Sequence, residues 1–291
     1  MVILWGAYVR AAGAGNGCGP NWPLCDGQFL PEHAQIKMLI EFLHRASSGV
    51  DAVLVGGLLA GGLWLFPRRS MVRKAAAGAA IFLVIEALLG AALVLFGWVG
   101  QNASAARVAA DGLHLANTLL LLAAVGLTAG FAAGGFGAGG LGTGKRRTTV
   151  LLGAALAAVM ATGICGVMAA LADTLYPATS LQSGLRLDFS GGAHGLERLR
   201  VIHPAMAVLA GLFLLWLVLD GLPRPNGALA RGLGWAVAAA VLLQWSTGVL
   251  DVSLLAPVAL QILHLFSADV LWLTLVFFAA ATCASVAECP S

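Results

Sequence analysis

Seven stretches of this chain, at about 36–66, 75–98, 106–133, 148–172, 199–219, 233–252 and 257–282, are apolar over the length that a bilayer crossing requires. Hydrocarbon offers backbone N–H and C=O groups no partner, so such stretches are held to helices that satisfy their own hydrogen bonds. An eighth apolar stretch, at 1–9, is too short to cross. With 60% hydrophobic residues, 10% charged residues and a mean hydropathy of +0.92, the 291-residue chain is an all-α polytopic membrane protein. Its net charge of +3 is scattered over loops, with no basic array of the kind that binds nucleic acid.

Positive loop charge sets the orientation. Arg68, Arg69, Arg73 and Lys74 follow the second helix; Lys145, Arg146 and Arg147 follow the fourth; Arg224 and Arg231 follow the sixth. These loops are expected in the cytoplasm, so the even-numbered helices run inward from the outer face. The loop at 10–35 then lies outside with Cys18 and Cys25. Glycine and proline between the two cysteines let the chain turn back, and an oxidising compartment favours a disulfide over two free thiols or a metal pair. Cys165 falls in the fifth helix as a packing residue, and Cys283 and Cys289 fall in a cytoplasmic tail at 283–291, where thiols stay reduced.

Four of the six histidines, His44, His114, His203 and His264, lie a turn or two inside the even-numbered helices. Imidazoles are rare in hydrocarbon and are usually functional there. Four at one depth, roughly 10 Å below the outer surface, suggest axial ligands for two hemes side by side.

An internal repeat arranges these residues in pairs. His44 and His203 are 159 residues apart, and Leu113-His114-Leu115 and Leu263-His264-Leu265 are 150 apart. Glu86-Ala-Leu-Leu-Gly90 echoes Gln244-Trp-Ser-Thr-Gly248 at an offset of 158, and Gly6-Ala7-Tyr8 lies on Gly166-Val167-Met168 at 160. The expectation is eight helices in two four-helix bundles, at 1–133 and 148–282, joined by a glycine-rich cytoplasmic linker at 134–147. In this alignment the first helix is shorter than the fifth by roughly a dozen residues. Either a misassigned start codon or a shortened helix that packs against the bundle accounts for that.

The halves differ in acidic residues. Glu41 precedes His44, and Asp111 precedes His114, by three residues and so on one helix face; the matching positions in the second half are Arg200 and Gln261. Acids beside a metal site can deliver protons to bound oxygen, with Asp111 as a relay. A half without them suits electron transfer. Arg45, Arg107, Arg198 and Arg200 lie where they can pair with heme propionates or, equally, reach lipid phosphate.

Gly15-Asn16-Gly17-Cys18-Gly19-Pro20-Asn21-Trp22-Pro23-Leu24-Cys25-Asp26-Gly27 followed by Ile40-Glu41-Phe42-Leu43-His44-Arg45 resembles the bacterial heme A synthase family, as do Ala170-Leu171-Ala172-Asp173-Thr174-Leu175-Tyr176-Pro177 and the three later histidines. The resemblance covers essentially the whole chain. It implies oxidation of the C8 methyl of heme O to a formyl group by two successive hydroxylations, for cytochrome oxidase assembly. It implies a heme b cofactor on His203 and His264, substrate heme O near His44 and His114, and Glu41 as the catalytic acid. It also implies a structural or redox-active Cys18–Cys25 disulfide, a multi-pass protein of the plasma membrane, a homo-oligomer, and contacts with heme O synthase and the terminal oxidase. Relatives with a second cysteine pair in the loop after the fifth helix differ from this chain, which has none between Asp173 and Leu199.

Two other readings fit parts of the pattern. A di-heme b cytochrome carrying electrons from quinol would use Glu41 and Asp111 only as proton relays. A di-iron enzyme would draw on Glu41-x-x-His44, Asp111-x-x-His114 and Glu86, as carboxylate–histidine bundles do.

Overall fold

The computed structural model describes residues 1–31, 35–136, 146–190, 195–222 and 227–287. It is built of helices: α1 Val2–Ala11, α2 Ile36–Leu65, α3 Met71–Leu95, α4 Ala105–Ala132, α5 Arg146–Leu175, α6 Leu181–Asp188, α7 Gly195–Trp216, α8 Ala228–Ser253 and α9 Val258–Ala287. Seven of these, all but α1 and α6, are long and apolar enough to cross a membrane. Among the described residues, β pairing is confined to one bridge, between Cys25 and Gln28 in the cysteine loop. Lys145, Arg224, Cys289 and most of the expected linker lie outside the described residues.

Several helices outrun the apolar stretches that announce them, because a helix continues where its side chains turn polar. Ser70 and Ser104 accept hydrogen bonds from the backbone N–H groups of Arg73 and Arg107, starting α3 and α4. Arg146 and Arg147, expected in the linker, are the first residues of α5. Sequence periodicity does not show α6, whose eight residues are too few for an apolar run. A reciprocal Ser180–Ser183 capping box starts it, and Asp188 at its end pairs with Arg200 at 2.8 Å. Beyond Trp216, α7 widens into a π turn at Leu217–Gly221.

Helix pairs in the first half have counterparts in the second. α1 packs on α2 as α5 packs on α7, α3 on α4 as α8 on α9, and α2 on α3 as α7 on α8. The crossed pairs also correspond, α4 with α5 and α9 with α1, while α4 and α9 meet each other at the centre. That central seam is close-packed. Leu119, Trp272 and Val276 are buried in it, and the Trp272 indole N–H donates to the Leu119 carbonyl at 2.7 Å. A second cluster, built on Leu152, Leu214, Leu217, Val237, Val241 and Phe278, fills the space among α5, α7, α8 and α9. Arg10, in the last turn of α1, ties that helix across the seam. Its guanidinium donates to the Ala170 carbonyl at 2.5 Å, to Thr174 Oγ1 at 3.0 Å and to Gln261 Oε1 at 3.1 Å.

Trp272 is 3% exposed, whereas Trp64 on α2 is 85% exposed. Trp272→Ala opens a cavity at the seam and is expected to cost about 3 kcal/mol, whereas Trp64→Ala is expected to be nearly neutral. Thermal unfolding of the detergent-solubilised variants checks the contrast: a lowered midpoint for Trp272→Ala alone.

Candidate functional site

His44, His114, His203 and His264 lie on α2, α4, α7 and α9, about 9–14 Å from the first residue of each helix by helical rise. Each imidazole rests against a glycine of a neighbouring helix. A Cβ added at Gly6 would stand 3.1 Å from His44 Cε1, one at Gly166 2.8 Å from His203 Cε1, and one at Gly248 3.0 Å from His264 Cε1. At Gly90 it would stand 3.7 Å from His114 Nε2, an ordinary contact. At three of the four, any side chain on the opposing helix would push into the ring. All four glycines mark the sequence repeat, but the repeat does not reveal what they are for: they let a ring lie against backbone.

In the second half the rings of His203 and His264 face each other with centroids 6.3 Å apart and planes at 84°. Two metal–imidazole bonds of about 2 Å, plus about 1 Å from each bonding nitrogen to its ring centre, span close to that separation. The separation would suit one iron between the rings once the Gln244 amide swings off His264 Nε2. His203 Nδ1 lies 3.2 Å from the Thr162 carbonyl, an arrangement that fixes the ring and leaves Nε2 for a metal. His264 Nδ1 lies 3.1 Å from Thr247 Oγ1, and its Nε2 lies 3.2 Å from Gln244 Nε2. Ser267 Oγ donates to Gln244 Oε1 at 2.5 Å. Sequence reasoning missed Thr162, Thr247 and Ser267, and included Gln244 only as a landmark of the repeat.

In the first half His114 Nδ1 lies 2.8 Å from Glu86 Oε1, while His44 Nδ1 is buried with no hydrogen-bond partner among the described residues. Orphaned buried nitrogens are costly, and a bound group would relieve this one. Glu41 is buried one turn from His44. It accepts from the Cys18 backbone N–H at 2.8 Å and from Arg45 Nη2 at 2.6 Å. Arg45 also donates to the carbonyls of Asn21 and Leu24, at 2.6 and 2.5 Å. Glu41 and Arg45 thus fasten the cysteine loop onto α2. Cys18 and Cys25, both buried, stand as a disulfide-distance pair with Cα atoms 4.4 Å apart.

The arginines singled out for propionates have partners within the chain, Arg198 apart. Arg107 donates to the carbonyls of Gly100 and Asn102, each at 2.7 Å, and its Nε lies 3.5 Å from Asp111 Oδ2. Arg200 is ringed by Asp188, Asp173 and Glu197, so the second half does contain acids, gathered on one guanidinium. Arg198 is exposed at the start of α7. Among the described residues no three His, Cys, Asp or Glu side chains converge as a bare metal site, which is what a di-iron centre needs.

Residues 1–276 match the model of a family described as cytochrome oxidase assembly protein. A protoheme IX farnesyltransferase of Thermus thermophilus is 42% identical over 283 residues, 96% of this chain and 46% of that protein. Heme A synthases of Bacillus mycoides and Bacillus cereus are 41% identical over 98 residues, 33% of this chain and 31% of theirs. The chain thus spans about half the length of its Thermus relative.

The glycine contacts give a graded expectation. Gly166→Ala forces the His203 ring to move, whereas Gly90→Ala meets only van der Waals contact. Heme affinity, titrated by Soret absorbance, is expected to fall about 10-fold in Gly166→Ala and to stay near the unmodified value in Gly90→Ala.

Proposed function

The chain belongs to the family of cytochrome oxidase assembly proteins that includes heme A synthase, and on that premise we propose that it converts heme O to heme A. Membership supports a role in heme A biosynthesis for cytochrome oxidase, as a multi-pass membrane enzyme of the oxidoreductase type. The specific reaction we propose is oxidation of the C8 methyl of heme O. Two hydroxylations yield a geminal diol, which loses water to leave the formyl group. The observation that carries this reading is the set of four imidazoles, two in each half and each against a glycine.

In this reading residues 1–133 and 148–282 form two halves with distinct tasks. The second half holds heme b on His203 and His264, and bound heme b supplies electron-transfer chemistry. Thr162 orients the His203 ring, and Thr247 and Gln244 bracket the His264 ring. The first half binds substrate heme O at His44 and His114, and Glu86 holds the His114 ring. Glu41, one turn from His44, is the acid of this half and, through Cys18 and Arg45, keeps the cysteine loop seated over it. Cys18 and Cys25 are paired as a disulfide on the extracytoplasmic side, as are the histidine ends of the helices. Heme O synthase, the terminal oxidase and further copies of this chain are its expected partners.

The Thermus relative's name denotes prenyl transfer to protoheme. This chain spans 46% of that protein, and the four histidines set against glycines are what favour oxidation here.

Expression in a bacterium that makes heme O but has no heme A synthase of its own tests the proposal. Pigment extraction and chromatography are expected to show heme A; heme O alone, with the chain folded in the membrane, would overturn it. In the same assay Glu41→Gln is expected to retain bound heme while heme A formation falls at least about 100-fold, as loss of a catalytic acid entails. Normal heme A yield from that variant would remove Glu41 from the chemistry. Joint loss of heme and of folded protein would reduce Glu41 to an anchor for the cysteine loop.

A further inference from the structure

Glu86 on α3 and Gln244 on α8 stand 158 residues apart, at matched positions of the repeat, and each touches a histidine of the following helix. The two networks correspond at two positions, 86 with 244 and 117 with 267, and differ in charge. Glu86 takes hydrogen bonds from His114 Nδ1 at 2.8 Å, from Asn117 Nδ2 at 2.6 Å and from the Thr118 hydroxyl. Asn117 also donates to the Phe82 carbonyl at 2.8 Å, which sets its amide nitrogen toward α3. All three groups on the carboxylate are donors. His114 therefore presents Nδ1–H to Glu86 and keeps Nε2, the nitrogen nearer Gly90, for a ligand.

In the other half, Ser267 stands where Asn117 does. Its hydroxyl donates to Gln244 Oε1, and the Gln244 amide and the Thr247 hydroxyl meet the two nitrogens of His264. None of those groups carries a charge. Behind the ring, His114 Nδ1 meets a carboxylate and His264 Nδ1 meets the Thr247 hydroxyl, while the Gln244 amide lies on the opposite nitrogen, His264 Nε2.

We propose that Glu86 is a positioning residue that makes His114 a more electron-donating iron ligand than His264, so that iron held in the N-terminal half sits at lower potential than iron held in the C-terminal half. The inference rests on the two-heme reading given above. A carboxylate that accepts the Nδ1–H of a ligating histidine raises the basicity of the other nitrogen, and it locks tautomer and ring orientation. A more basic axial ligand stabilises ferric over ferrous iron, and electron-rich axial ligation favours oxygen activation over electron storage. A carboxylate on Nδ1 of His114, where His264 has the Thr247 hydroxyl, then separates the two histidines in donor strength.

A spectroelectrochemical titration of the full chain in lipid nanodiscs, reconstituted with protoheme, tests this. Two redox components are expected; His114→Ala removes the N-terminal one and His264→Ala the C-terminal one. Glu86→Gln is expected to move the N-terminal component to higher potential and leave the C-terminal one in place, whereas Glu86→Asp, which keeps the carboxylate, retains the low potential. An unmoved N-terminal component in Glu86→Gln overturns the proposal. So does equal loss of that heme from the Gln and Asp variants, because Glu86 would then serve only as an anchor. If the unmodified chain shows no component that depends on His114, the two-heme reading itself fails, and this inference falls with it.

Discussion

A ring that lies against a helix backbone needs that backbone bare, and the arrangement of the histidine end follows from this steric fact. Gly6, Gly166 and Gly248 leave their imidazoles no room for even a methyl group. Each fixes how its helix stands against the next: α1 to α2, α5 to α7, and α8 to α9. A glycine in a helix interior costs roughly 1 kcal/mol relative to alanine. In a bilayer, leaving a backbone group unpaired costs several kcal/mol, so the helix stays formed despite the glycine.

Upon this frame the two halves diverge through polar groups. Behind the first pair of histidines stand Glu86, Asn117 and Thr118, and behind the second Gln244, Thr247 and Ser267. The loops diverge as well. The loop between α1 and α2 is clasped to α2 through Glu41 and Arg45, whereas the segment between α5 and α7 folds into α6 and is held by Arg200 through Asp188. Glu41 holds its loop from a spanning helix, whereas Asp188 lies on α6, within the segment that it secures.

Long-period features of the chain were legible before any coordinates: the seven spanning helices, the depth of the histidines, and the spacing of Gly6, Gly90, Gly166 and Gly248. Local pairs were legible too, because Glu41–Arg45 and Arg107–Asp111 are each four residues apart on a helix. What was not legible depends on packing. Thr162 meets His203 across 41 residues and Asn117 meets Glu86 across 31, and no local period encodes which helices become neighbours. Arg45, Arg107 and Arg200 lie near helix ends, a position that suits propionates and lipid phosphate equally. Their carbonyl partners, at Asn21, Gly100 and Tyr176, come from segments between helices whose path only the fold defines.

Arg10 sits early in the chain, but everything it binds comes late: Ala170 and Thr174 in α5, then Gln261 in α9. At about 5–20 residues per second, a ribosome needs about 10–50 s to go from Arg10 to Gln261. For that interval the guanidinium at the end of α1 waits without its final acceptors. Completion of the first helix's surroundings is thereby made contingent on the last helix, and the order of synthesis becomes a timer on the closing of the two halves.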